Sequence, residues 1–231
     1  MTRFASARFG GRLAITFDDG GMNLLSSDAL VEFQTAIESA RDAQLVTFAS
    51  ARPGLFAAGA DMAEMIGFTA ADAGDFARRG QELFASIEAL APVTVALIDG
   101  DCFGGALDMA MAFDLRFATA RSRFSHPGAR IGIVTGFGGT SRWRKLLDRA
   151  AARELFLGGG VLSASESLES GLVDRVAASF DAELERLTTL DRRTTRFLKE
   201  MAPRAGRLGP NELDLLGARL WELYGFCPSD E

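Results

Sequence analysis

Residues 99–114 read DGDCFGGALDMAMAFD, where two glycines open an apolar, helix-prone run that carries one carboxylate, Asp108. Gly104 and Gly105 allow a ligand close to the backbone, and unpaired N–H groups at a helix start attract negative charge. Asp108 follows Gly105 by three residues, which places it about one turn along, on a neighbouring face. A second small-residue string, LFAAGADMAEM at 55–65, runs into a helix that Asp61 can cap. Two N–H groups converging from two such loops would form an oxyanion hole, which stabilises charge developing on a carbonyl oxygen. The plainer reading makes both strings tight turns and Asp108 a helix-start residue. Spacing alone leaves both open.

The elements that must hold these strings alternate in type. LAITF at 13–17, LVTFA at 45–49 and VTVALI at 93–98 read as strands, the last apolar on both faces and so buried. Leu115–Ala118 and Val173–Ala177 read as two more. Helical spacing appears at Leu30, Phe33 and Ile37, with Ser27 or Asp28 as cap, over 70–90, over 141–156 and over 163–170. Strands alternating with helices predict an α/β core over residues 1–180, followed by a helical C-terminal segment over 181–231.

With 231 residues, 48% of them hydrophobic, the chain can bury a substantial core. Its longest apolar stretch, 90–98, falls well below the ~18 to 20 residues of a spanning helix, and MTRFASARFGGR lacks a signal-peptide centre. Cys102 and Cys227 make no disulfide framework, and one histidine, His126, excludes a multi-histidine metal site. A cytoplasmic location is therefore expected, with no metal, no permanently bound cofactor and no membrane partner. A net charge of −6 argues against nucleic acid as a partner, though not against a phosphorylated small molecule held by a local cluster of basic residues.

FAAGADMAEM, then DGDCFGGALDMA, then FSHPGARIGIVTGFGGTSRW and LFLGGGVLSASESLESGLVDRV resemble, in order, the crotonase (enoyl-CoA hydratase/isomerase) superfamily. The resemblance runs from about Leu13 to Val176. It implies a spiral of ββα units with a helical C-terminal region, assembled as a homotrimer or dimer of trimers. It also implies acyl-CoA thioesters as substrates, with an enolate stabilised at the thioester oxygen by the N–H groups of Ala60 and Gly105. Ala58, Asp61 and Met62 fall in the stretch that lines the CoA path in that family, Asp61 doubling as a helix cap. Arg52, and Lys199 with Arg192 and Arg196, are candidates for the CoA phosphates, against the alternative of solvated surface charge. Phe68, Phe76, Phe84 and Phe137 are either acyl-pocket lining or core.

The resemblance breaks at the proton-transfer groups. Hydratases of that family use two carboxylates. Asp108 takes the first position, one methylene short of a glutamate, a deficit of roughly 1.5 Å. The second position, after the proline of HPGA, is Gly128, which transfers no proton. Standard two-carboxylate hydration is therefore not expected. Asp108 alone, buried among Leu107, Met109 and Met111, is one remaining route. His126 is another, since imidazole exchanges protons near neutral pH; the competing reading is a packed histidine. A third is open space at Gly128 for an external base, because one branch of the family with glycine there uses bound bicarbonate. Decarboxylation, which needs little beyond an oxyanion hole, and a lapsed acyl-CoA-binding or scaffold protein complete the alternatives. The chain stops after LWELYGFCPSDE, so part of the cover over the acyl site, or part of the subunit contact, is expected to be missing or supplied by a neighbour.

Overall fold

Three times along the chain a buried strand turns a sharp corner into a short second strand and then enters helix. A computed structural model describes residues 2–201. Leu45–Ser50, Val93–Ile98 and Leu115–Ala118 belong to a six-stranded sheet; the strands that follow them, Leu55–Ala57, Asp101–Phe103 and Arg123–Ser125, belong to a four-stranded one. The larger sheet begins with the antiparallel pair Phe4–Phe9 and Arg12–Phe17, continues in parallel through those three strands and ends on Arg175–Val176. Val161–Ser163 adds an antiparallel edge to the smaller sheet. A third, two-stranded pairing joins Leu24–Leu25 to Gly59–Ala60. This α/β spiral of ββα turns matches the architecture expected from the resemblance.

Local chemistry explains each element. Val93–Ile98 is buried at every position but the half-buried Leu97, as an apolar run covered on both faces must be. In Arg12–Phe17 only Leu13, Ile15 and Phe17 are buried, giving the period of two of a one-sided strand. Phe17, Phe33 and Phe48 gather around Phe4 with ring centroids 4.4 to 6.3 Å away. The corners stack on one another. Gly100 turns at φ 100°, and a Cβ there would overlap the backbone of Gly54. Asp101 N–H donates to Gly54 O at 3.2 Å, and Arg123 N–H donates to Gly100 O at 3.2 Å. Each corner thus seats on the one before it.

Several boundaries differ from the sequence reading. Ser26, not Ser27 or Asp28, caps the Ser27–Glu38 helix, its side chain accepting from Ala29 N–H. The helix expected over 141–156 is two, Gly139–Leu146 and Arg149–Phe156. Leu147 is extended between them, and Asp148 caps the second by accepting from the Ala150 and Ala151 N–H groups. Only Arg175–Val176 pairs in the strand expected at 173–177, and the strand Phe4–Phe9, exposed beyond Phe4, has no apolar pattern to betray it.

Contacts divide the chain into two compact units with the boundary after Thr188. The first holds all the sheets. The described part of the second contains the helix Arg192–Met201, which carries Arg192, Arg196 and Lys199. The C-terminal string LWELYGFCPSDE lies outside the described residues. Among the described residues no helix is long and apolar enough to cross a membrane.

One buried charge ties the end of the sheet to the chain that follows. Arg116, 2% exposed, donates to the carbonyls of Leu172 and Phe113, both at 2.7 Å, and to Asp174 Oδ2 at 2.9 Å. Burial pushes its guanidinium below the usual arginine range, against the pull of Asp174 and Asp114. Asp174 is itself one-third exposed, and removing it takes the counter-charge from a buried guanidinium. Asp174→Ala is expected to cost about 1.5–3 kcal/mol in urea unfolding, the range for a hydrogen bond to a charged group; a loss below about 1 kcal/mol would show that the two carbonyls satisfy the guanidinium without it.

Candidate active site

The helix expected near Gly104 spans Gly105–Ala110, with Gly104 as a cap at φ 56° and no side chain bonded to the helix start. Gly105 is its first residue, so its N–H has no partner within the helix. At six residues the helix adds little macrodipole, and the N–H itself is what the start offers. The segment Gly59–Ala60 lies directly against it. Gly59 turns at φ 106°, and a Cβ there would stand 2.7 Å from Phe103 O and 2.9 Å from Gly105 N. A Cβ on Gly105 would stand 3.4 Å from Ala60 N. Glycine at 59 brings the Ala60 and Gly105 segments together.

Both segments line a cavity of about 300 Å³. Ala58 and Met62 line it too, while the Asp61 carboxylate is turned to capping and accepts from the Ala63 and Glu64 N–H groups. Phe76 and Phe137 form part of its wall, their rings edge-to-face at 5.0 Å; Phe84 packs behind them in the core, and the half-buried Phe68 rests on Phe76. Ile131 and Val134 line the cavity while 58% and 80% exposed, which puts them at its mouth. Arg52 Nε instead donates to Asp18 Oδ1 at 3.1 Å on the surface, and Lys199 belongs to the second unit.

Asp108 and His126 meet in this cavity. Asp108 is 1% exposed and His126 6%. The Thr135 hydroxyl donates to Asp108 Oδ2. Oδ1 faces His126 Nε2 at 3.5 Å, and neither of these two buried atoms has a hydrogen-bond partner. The imidazole stacks on Phe156, centroids 4.9 Å apart. A helix-start residue would turn its carboxylate to backbone N–H groups at its own helix start; this one turns to groups from other elements. Gly139 closes the remaining side, since a Cβ there would overlap Asp108 Oδ1.

Gly128 lines the cavity, but its side-chain direction is filled. A Cβ would stand 2.5 Å from Ile133 O and 3.4 Å from His126 Cε1 and Nδ1. A side chain at 128 would therefore meet the Ile133 carbonyl, while the glycine backbone borders the cavity. Thr135 and Gly139 were not read from the sequence as site residues. Thr135 stands out only as the single hydroxyl among the apolar and glycine residues of 131–139.

The enoyl-CoA hydratase/isomerase family model matches residues 10–202. The chain belongs to that family. Crotonyl-CoA hydratase of Syntrophomonas wolfei is 34% identical over 158 residues, 67% of this chain and 61% of that protein. Matches to three curated relatives span 52 to 61% of their lengths. Among solved structures, Pseudomonas aeruginosa DspI is 25% identical with a TM-score of 0.88, covering 97% of this chain and 96% of that one. An enoyl-CoA hydratase from Thermoplasma volcanium shares the fold, with a TM-score of 0.89 at 24% identity, over 96% of this chain and 93% of that one.

The overlap between a residue-139 Cβ and Asp108 makes a testable pair. Gly139→Ala is expected to destabilise the protein by about 1–3 kcal/mol through overpacking. In an Asp108→Ala background the same change should cost close to nothing. Equal costs in the two backgrounds, measured as a double-mutant cycle in urea, would separate the two positions.

Proposed function

We propose that this protein acts on acyl-CoA thioesters through an enolate. The thioester oxygen accepts hydrogen bonds from the Ala60 and Gly105 N–H groups, and Asp108 moves the proton. The observation that carries this reading is the apolar cavity in which a carboxylate buried to 1% exposure shares a six-residue helix with Gly105, whose backbone abuts Ala60. Donors set in advance where negative charge develops lower the barrier without reorganising, each worth about 3–4 kcal/mol where one has been removed from an enzyme. Water exclusion by Phe76, Phe137 and the surrounding apolar wall strengthens both the hydrogen bonds and the carboxylate's action. Ala58 and Met62 offer the thioester's pantetheine arm a small-residue and thioether wall. The family supports the substrate class: the Syntrophomonas wolfei relative is named a crotonyl-CoA hydratase, and a thioester oxygen is the acceptor that two converging amides suit.

A second reading rests on Gly128. With no carboxylate there, the chain would bind CoA thioesters without turning them over. A panel of enoyl-, malonyl-type and β-keto-CoA esters tests both. The native protein is expected to turn over at least one ester, and Asp108→Ala to lower that rate by about 10²–10⁴-fold. Turnover unaffected by the substitution would remove Asp108 from the mechanism. Binding by calorimetry with no turnover across the panel would favour the second reading.

A further inference from the structure

The cavity holds two ionisable side chains from different turns of the spiral, and their facing atoms, Asp108 Oδ1 and His126 Nε2, are both buried and unpartnered at 3.5 Å. Both residues line the cavity, so the pair borders the space a substrate would enter. The imidazole also stands within 3.4 Å of where the side chain of residue 128 would begin.

Building on the enolate reading above, we infer that Asp108 and His126 form a carboxylate–imidazole pair that adds water to the double bond of a 2-enoyl thioester, His126 serving as the second catalytic group. As the water oxygen bonds to C3, its proton passes to His126 Nε2. The C2–C3 π pair moves into the C1–C2 bond, and the carbonyl π pair moves onto the thioester oxygen held by Ala60 and Gly105. Collapse of that enolate takes the proton of the Asp108 carboxyl group onto C2. His126 is left protonated and Asp108 ionised, and the proton returns across their contact to reset the pair. Thr135, donating to Asp108 Oδ2, is a positioning residue that keeps Oδ1 turned to the imidazole. Phe156, stacked on the ring, holds its plane.

The experiment follows two reactions of the same protein. Hydration is read as loss of enoyl absorbance of a four-carbon trans-2-enoyl-CoA. Enolate formation is read as solvent deuterium entering C2 of the saturated four-carbon acyl-CoA, in which ionised Asp108 takes the C2 proton, the two amides hold the oxygen and no water has to be activated at C3. His126→Ala and His126→Gln are expected to lose hydration by about 100-fold or more and to keep C2 exchange within about fivefold. Added imidazole should restore hydration to His126→Ala in a saturable way, and not to His126→Gln, whose side chain fills the space. Hydration within about threefold of native in either variant overturns the pair. So does loss of both reactions together without imidazole rescue, the mark of a packing role. Native protein that exchanges C2 but does not hydrate also overturns it and leaves the enolate reading standing. Native protein that does neither removes the enolate reading itself.

Discussion

A carboxylate that is 1% exposed in an apolar cavity must be held by its neighbours, because an ionisable group taken out of water without partners is costly. Asp108 has one hydrogen-bond partner and two close neighbours, all from beyond its own helix. The Thr135 hydroxyl fixes Oδ2, the His126 ring faces Oδ1, and the Cα of Gly139 closes against it where any larger residue would collide. Its own helix meanwhile presses its first residue against Ala60. The site is therefore defined by close approaches, and the small residues at 59, 105 and 139 are what those approaches require.

The spiral supplies that precision from a distance. Each corner hydrogen-bonds to the one before it, Asp101 to Gly54 and Arg123 to Gly100, so an error at one turn would shift the next. Gly104 follows directly from the Asp101–Phe103 strand, and His126 follows from Arg123–Ser125, its parallel neighbour in the same sheet. Gly104 N–H donates to Ser125 O at 2.9 Å, which joins the start of the Asp108 helix to the residue beside His126. The pairing of those two short strands brings Asp108 and His126 into one cavity although eighteen positions separate them in the chain. Arg142 adds a brace on the other wall: buried, it donates to Phe137 O at 2.8 Å and pairs with Glu88, holding the segment that carries Phe137 and the start of the Gly139 helix.

The chain belongs to the enoyl-CoA hydratase/isomerase family, and its departures from the family pattern carry the individual information. Gly128 looks in one dimension like a deletion of function. In three dimensions a Cβ there would collide with the Ile133 carbonyl and stand in ordinary contact with the His126 imidazole, so glycine at 128 is required by the backbone of Ile133.

Much of this was legible in the residues themselves. The apolar strands 13–17, 45–49 and 93–98, the glycine strings around Ala60 and Gly105, and the capping role of Asp61 follow from local rules of periodicity, turn chemistry and helix ends, which act over a few residues. The exposed first strand and the break at Leu147–Asp148 were not legible, because neither leaves an apolar signature. Nor was the environment of Asp108. Sequence placed it one turn past Gly105, but its contacts with His126, Thr135 and Gly139 join positions 18 to 31 residues apart. Whether His126 had a partner, and whether Gly128 left room, depended on how three corners stack and how closely two backbones approach. Residue types alone determined the apolar elements and the family resemblance; the exposed strand, the helix break and which side chains face each other were decided by packing between turns of the spiral, a non-local property that no local pattern encodes.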